Sequence, residues 1–329
     1  MRVVVTGATS MIGVAVVDRL LHRGDHVCLF QRRASGRSPA DVDEVHGSIA
    51  DPVACARACR DADAVVHLAA RVGVVGTYDE FHQVNVVGTE TVLAAAAAAG
   101  VERFVHVSSP SVAHAGSALV GRGADPADPT STRGPYSTTK ATAERLALAA
   151  TDAFSVVAIR PHLVWGPGDR QLIGRVVDRA RAGRLALVGS GHALIDTTYV
   201  DNAADALVAA LDRAESVSGR AFVVSNGEPR PVVELFTRIT AAAGIDWRPR
   251  RVPRPVAVAG GAAAELVWRT LDRHDDPPMT RFLAEQLSTA HWFEQESVRA
   301  ALEWRPAVSL DDGFRRLDRS LSGLASDRR

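Results

Sequence analysis

The 329-residue chain is short of aromatic side chains, cysteines and net charge, and each shortage closes off a class of function. Phe, Trp and Tyr together make up 5% of it, so the core has to be built from Ala, Val and Leu. A stacked-ring platform for single-stranded nucleic acid is not expected. Lys and Arg number 38 against 38 Asp and Glu, and nucleic-acid binding needs a basic surplus to neutralise phosphates. Cys28, Cys55 and Cys59 are an odd set with no disulfide spacing. Cys55 and Cys59 lie one helical turn apart but lack a histidine partner, so no metal site is expected. A reducing cytoplasm is the simplest setting. No run approaches the ~18 apolar residues of a spanning helix, and no signal-peptide segment precedes the strand-like Val3-Val4-Val5.

What is present is a regular alternation. β-branched runs at Val3–Val5, Val27–Phe30, Val65–Leu68, Phe104–Val107 and Val156–Ile159 read as buried strands. Between them Met11–His22, Pro52–Cys59, Glu80–Ala99 and Ser137–Ala149 read as helices, with Gly24 and Gly100 ending two of them. This order predicts βαβ units and an α/β fold with a doubly wound parallel sheet. Past residue 160 the alternation loosens. Ile195–Tyr199 and Phe222–Val224 read as further strands flanking the helix Asn202–Leu211 and are expected to rejoin the sheet. Proline becomes frequent from Pro249 to Pro278. The expected division is a larger domain over 1–226 and a smaller, mostly helical one over 227–329.

The segment Gly7-Ala8-Thr9-Ser10-Met11-Ile12-Gly13 sits between the first strand and the first helix. There Gly7 permits a tight turn, Gly13 lets helix pack on strand, and free amides at the helix start face a pyrophosphate. The second strand ends Gln31-Arg32-Arg33, with no carboxylate for a ribose hydroxyl pair. Two guanidinium groups suit a 2′-phosphate, which favours NADP(H), with NAD(H) as the alternative. Tyr136 and Lys140 are spaced i, i+4, one turn apart on one helix face. A nearby ammonium would lower the phenol toward a range useful for proton transfer. Ser108, Ser109 and Ser111 follow the strand Phe104–Val107, at the carboxyl end where ligands of open α/β sheets bind.

Together these motifs resemble the extended short-chain dehydrogenase/reductase superfamily, and the runs Arg160 to Asp169 and Asp196 to Asn202 are most similar to its 3β-hydroxysteroid dehydrogenase-like group, which includes sterol dehydrogenases and 2-alkyl-3-oxoalkanoate reductases. The resemblance covers about residues 1 to 226 and implies a Rossmann-type domain that binds the nicotinamide cofactor, with 227–329 and part of 161–194 serving the substrate. It implies a catalytic set of Ser109, Tyr136, Lys140 and Asn85, with Ser111 as the fallback serine, Lys140 also holding the nicotinamide ribose and Asn85 supporting a proton relay. Cofactor contacts are implied at Thr9, Ser48, Ile49, Leu68, Ala69, Ala70, Pro161 and Leu163. Two departures stand out. Ser10 replaces the middle glycine of the loop, and Ser48 replaces an aspartate.

The expected function is an NAD(P)-dependent ketoreductase or alcohol dehydrogenase acting on a bulky apolar molecule. Pro255 to Leu271, rich in Ala, Val, Gly and Leu, would roof an apolar pocket or rest on a membrane surface. Trp165, Trp268, Trp292 and Phe293 are the first aromatic candidates for a substrate wall. The alternative is a nucleotide-sugar epimerase or dehydratase, with Arg248, Arg250, Arg251 and Arg254 gripping a diphosphate. A non-catalytic dinucleotide sensor is disfavoured by the intact Tyr136 and Lys140. A homodimer is the usual assembly of the superfamily.

Overall fold

The computed structural model describes residues 1–38, 40–73, 75–113, 116–271, 277 and 279–326. Its centre is a seven-stranded parallel sheet of β1 (Arg2–Thr6), β2 (His26–Gln31), β3 (Asp43–His46), β4 (Ala64–His67), β5 (Arg103–Val107), β6 (Ser155–Pro161) and β7 (Arg220–Val224), in the spatial order β7-β6-β5-β4-β1-β2-β3. The order reverses between β1 and β4. Side chains alternate across the sheet, as period two requires. Val3, Val5, Val66 and Val105 enter one core and Val4, Val65 and Phe104 the opposite one.

The first core is covered by α1 (Met11–His22) and α7 (Val200–Asp212). The second is covered by α2 (Pro52–Cys59), α4 (Gly88–Ala98) and α5 (Pro135–Ala149). Small side chains such as Ala54, Ala58, Ala96 and Ala147 let these helices lie close to the strands, which is how a chain poor in rings fills its core. Ahead of α4 run the short α3 (Tyr78–His82) and one π-helical turn, Gln83–Val87.

Beyond β6 a second cluster forms around α6 (Ile173–Arg181), α8 (Val232–Ala242) and α12 (Leu310–Ser326), with Trp165, Tyr199 and Phe314 between them. The helices α9 (Arg254–Thr270) and α10 (Arg281–Ser288) lie against Val188. The chain then returns to the main sheet, where α11 (Glu296–Leu302) places Val298 and Leu302 in the first core, followed by Trp304.

Two expectations need correction. Phe222–Val224 rejoins the sheet as β7, but Ile195–Tyr199 does not. It splits into Leu194–Ile195, which pairs with Arg230–Pro231 and His291–Phe293, and Thr198–Tyr199, which pairs with Val164–Trp165. The break falls at Asp196, whose carboxylate turns inward to accept from Ser225 Oγ and the amides of Gly227 and Glu228. β3 was not anticipated, because Asp43-Glu44-Val45-His46 is a charged edge strand without an apolar run.

Candidate active site

At the end of β1 Gly7 adopts φ +67°, and a Cβ there would lie 2.9 Å from the Ala69 amide nitrogen. At Gly13 a Cβ would lie 2.5 Å from the Gly7 carbonyl oxygen. Only hydrogen at both positions lets α1 begin directly against β1 and the turn after β4. Ser10 is the N-cap of α1, its Oγ accepting from the Gly13 amide at 3.0 Å. The helix leaves the Met11 and Ile12 amides without intrahelical acceptors. Thr9 and Ser10 are exposed beside them. This cradle fits a pyrophosphate, and Ser10 withdraws one donor from it.

Arg32 and Arg33 are both exposed just past β2. Glu44 on the neighbouring β3 accepts from Gln31 Nε2 and from the Ser35 amide at 2.8 Å, so a carboxylate stands close to the end of β2 after all, contributed by a strand the sequence reading missed. Ser48 is exposed, its Oγ accepting from the Ala50 amide, while Ile49 is buried under Gly88, where a Cβ would lie 2.6 Å from Ile49 Cδ1.

A buried chain of hydrogen bonds ties the turn Leu68-Ala69-Ala70 to the helix layer. Ala69 N donates to Thr6 Oγ1 at 3.0 Å, Thr6 pairs with His67 Nδ1 at 2.8 Å, and His67 Nε2 pairs with Thr89 Oγ1 at 3.1 Å. Thr89 in turn donates to the Asn85 carbonyl at 2.7 Å. Every donor is satisfied if His67 carries its proton on Nε2. Burial beside Lys140 holds His67 neutral, its pKa pushed down to about 3, and drives His106 well below the ordinary histidine range. The Asn85 side chain, in the π turn, accepts from the Arg71 amide at 2.7 Å and donates to Thr139 Oγ1 at 3.0 Å.

Tyr136, Thr139 and Lys140 share the first turns of α5, which starts at Pro135. The Tyr136 phenol stands beside the Ser109 hydroxyl, whose Oγ lies 2.9 Å from Ser111 Oγ, and Phe81 sets its ring edge-on to the Tyr136 ring at 6.5 Å. Ser108 turns away into the interior. Lys140 Nζ donates to the Val107 carbonyl at 2.6 Å and lies 3.5 Å from His106 Nε2. Burial pushes the ammonium down to about 8, opposed by the Glu144 carboxylate one turn on. The expectation that Lys140 lowers the phenol is not met. Burial raises the Tyr136 pKa, and the opposing pull comes from the Ser109 hydroxyl, while the Lys140 ammonium is directed at the Val107 carbonyl. Glu144 itself forms a fully buried pair with Arg160 on β6, whose guanidinium also donates to the Asp125 carbonyl at 2.7 Å.

Ser109, Ser111 and Tyr136 open into a cavity of about 760 Å³. Pro161 and Leu163 line it too, and Leu163 takes φ +43°, a left-handed conformation costly for a branched side chain. Its far walls are apolar, with Ala257, Gly260, Gly261 and Ala264 from α9 facing Met279, Phe282 and Leu283. The inner face of α9 is therefore a roof, while its Val256, Leu266 and Val267 are exposed on the outside. The expected aromatic wall is elsewhere. Trp165 is packed on Phe314 at 4.5 Å, Phe293 sits edge-on to His162, Trp292 covers Gly121, and neither they nor Trp268 line this cavity. Arg248, Arg250, Arg251 and Arg254 are exposed and do not line it either. The residues that sequence reasoning missed are His162, just past β6, and three arginines, Arg175 and Arg179 on α6 and Arg184 after it, all of which line the cavity.

A sheet that reverses order beside a glycine turn, with a phenol and a buried lysine on the next crossover helix, is matched by one family model over residues 3–225, described as the NAD dependent epimerase/dehydratase family. The chain belongs to that family. Among its relatives the 2-alkyl-3-oxoalkanoate reductase of Stenotrophomonas maltophilia (strain K279a) is 42% identical over 327 residues, covering 97% of this chain and 99% of that protein. The 4-hydroxy-2-methyl-3-oxo-4-farnesyl-3,4-dihydroquinoline-1-oxide ketoreductase of Stigmatella aurantiaca is 30% identical, covering 95% of each chain. Among solved structures, a double mutant of the Streptomyces venezuelae dTDP-glucose 4,6-dehydratase with NAD bound superposes with a TM-score of 0.75 at 26% identity, covering 98% of this chain and 97% of that one. This epimerase/dehydratase family member is an oxidoreductase that uses a nicotinamide cofactor. Among the described residues no helix is long and apolar enough to cross a membrane.

Proposed function

We propose that this oxidoreductase interconverts a ketone and a secondary alcohol on a bulky apolar molecule, such as a 3-keto or 3β-hydroxy steroid or a 2-alkyl-3-oxoalkanoate, with NADP(H) favoured over NAD(H). The observation that carries the reading is that Ser109 and Tyr136 stand side by side on the wall of a large, mainly apolar cavity. A half-buried pair of hydroxyls there is suited to hold a carbonyl oxygen. Tyr136 donates its proton to that oxygen during reduction, as general acid, and takes it back during oxidation. When bound, the nicotinamide supplies or accepts the hydride at the carbonyl carbon. Lys140 holds the ribose and the return path of the proton, and Asn85 positions α5 through Thr139. The amides of Met11 and Ile12 take the pyrophosphate, with Thr9 and Ser10 at its edge. Ile49 bounds the adenine side beside Ser48, and Leu68, Ala69 and Ala70 bring backbone close to the cofactor. Pro161 and Leu163 close its nicotinamide end. Residues 1–226 serve the cofactor, and those from 227 onward, with part of 161–194, the substrate.

Tyr136→Phe is expected to bind NADPH as the wild type does and to lose roughly 10²- to 10⁴-fold in turnover; undiminished turnover overturns the role. The cofactor preference rests on Arg32 and Arg33, exposed where a 2′-phosphate would reach them. Replacing both with Ala should weaken NADPH much more than NADH in equilibrium titrations, and equal weakening refutes the phosphate contact. A panel of steroids, long-chain 3-oxo acids and UDP-sugars, followed by nicotinamide absorbance, tests the substrate class. Reaction with the sugars alone would reverse the reading in favour of an epimerase or dehydratase.

A further inference from the structure

Behind the large cavity lies a second, smaller one of about 40 Å³. Leu163, Leu172, Ile195, Phe236 and Leu287 line both, so these five side chains form the partition between them. Leu163 is exposed and Leu172 and Leu287 are half-buried, whereas Trp165, Thr197, Leu235 and Phe314 on the far side are buried. Ten of the eleven residues around the chamber are aliphatic or aromatic, and the remaining one is Thr197. Its Oγ1 accepts from Trp165 Nε1 at 2.9 Å, and its carbonyl accepts from the Asn226 amide at 3.0 Å. A chamber whose polar atoms are already engaged gives water too few partners and stays dry. Packed interiors leave few such voids, and this one shares a wall with the cavity that holds Ser109 and Tyr136. The backbone is strained at that wall. Leu163 takes φ +43° and is fixed there by Thr198, whose Oγ1 donates to the His162 carbonyl at 2.7 Å and whose amide donates to the Leu163 carbonyl at 3.4 Å. Strain of this kind persists where it shapes a functional surface, and here it belongs to a side chain on the boundary of the two spaces.

We propose that the small chamber is an end pocket for one alkyl chain of the substrate, entered past the leucines of the partition, and that it measures the length of that chain. This rests on the reading above of an oxidoreductase for bulky apolar molecules and adds to it a forked substrate. One chain runs under α9, and the other ends against Trp165 and Leu235. A volume of about 40 Å³ admits about three carbon-sized groups. A chain that stops short forfeits the contacts of the chamber walls, and one that is too long meets a packed core that does not yield.

Leu235 lines the chamber and not the larger cavity, which makes it the residue to change. A series of 2-alkyl-3-hydroxy acids, with one chain and then the other lengthened a carbon at a time, is oxidised by wild type, Leu235→Phe and Leu235→Ala with the nicotinamide cofactor in excess. For one of the two chains, the length that gives the highest kcat/KM should fall by about two carbons in Leu235→Phe and rise by about as much in Leu235→Ala. The optimum is a comparison within one protein, so a poorly folded fraction cancels. Optima that coincide in all three proteins for both chains overturn the pocket. A second readout needs no turnover. Acids with bromine on the last carbon of one chain or of the other are titrated against the tryptophan fluorescence of the cofactor-loaded enzyme, because bromine quenches an indole that it touches. One of the two acids should quench, and Trp165→Phe should abolish the effect. Equal quenching by both, quenching by neither, or quenching that survives in Trp165→Phe also overturns the pocket. Should none of the acids react, the oxidoreductase reading falls while the quenching still decides this one.

Discussion

Lys140 is asked to be charged in a place that resists charge. Its pKa of about 8 against the ordinary 10.5 means that the folded protein releases this proton earlier than the unfolded chain does. Between those values the unfolded state holds more protons, so the Lys140 contribution to stability rises with pH across the window from about 8 to 10.5. Urea unfolding at successive pH values should show that rise in wild type relative to Lys140→Met, and parallel curves for the two proteins would contradict it. The histidines act at the other end. His67 stays neutral down to about 3 but titrates normally when unfolded, so its contribution is complete above pH 6.5 and drains away as the pH falls toward 3. By pH 5 this one residue should have cost about 2 kcal/mol, measurable as a shift of the urea midpoint. His67 stood in the sequence inside the strand run Val65–Leu68. Its burial against Lys140 joins β4 to α5, and no local pattern records a contact of that range.

At the scale of elements, α5 is pinned by a pair that lies outside the cavity. Glu144, one turn past Lys140, and Arg160, one residue before Pro161, are both buried. Glu144→Gln leaves Arg160 charged and unpaired in the interior, which should cost about 3–5 kcal/mol. Because Glu144 also supports the Lys140 ammonium, the alkaline limb of the activity profile should move to lower pH in the same variant. A thermal melt and a pH–rate profile would check the two effects separately, and an unmoved limb would deny the electrostatic link. Ser10 offers the reverse experiment. Ser10→Gly removes the cap at a cost of a few tenths of a kcal/mol and returns the Gly13 amide to the phosphate cradle, so cofactor affinity should tighten by a few fold with almost no change in melting temperature. The strands and helices of the first 160 residues could be read because β-branched runs, capping residues and end glycines are local signals. The π turn at Gln83–Val87 and the charged β3 carry no such signal, and the pairing partners of Leu194–Ile195 are set by residues up to almost a hundred positions away.

On the scale of the whole molecule, composition foretold an Ala- and Val-built core correctly and misled on the substrate wall. Rings were few, so they seemed reserved for function, yet Trp165 and Phe314 hold α12 in the cluster of α6 and α8, and the cavity is walled mainly by small and aliphatic side chains. The glycines and alanines of α9 matter there through what they leave open. Enlarging one of them, as in Ala264→Phe, should raise KM for long branched substrates more than for short ones, while a uniform loss would indicate damage to the helix itself.

The return of α11 to the sheet has a consequence for anyone who would take this protein apart. Val298, Leu302 and Trp304 belong to the core beneath α7, so the last tenth of the sequence completes the half of the molecule that begins at the first residue. A fragment ending near residue 226 would expose that seam to water and should be recovered only as aggregate. A graft that exchanges 227–290 and keeps the rest should stay soluble. The two ends of the chain thus close on one another like a clasp, and any exchange of the stretch between them has to leave both in place.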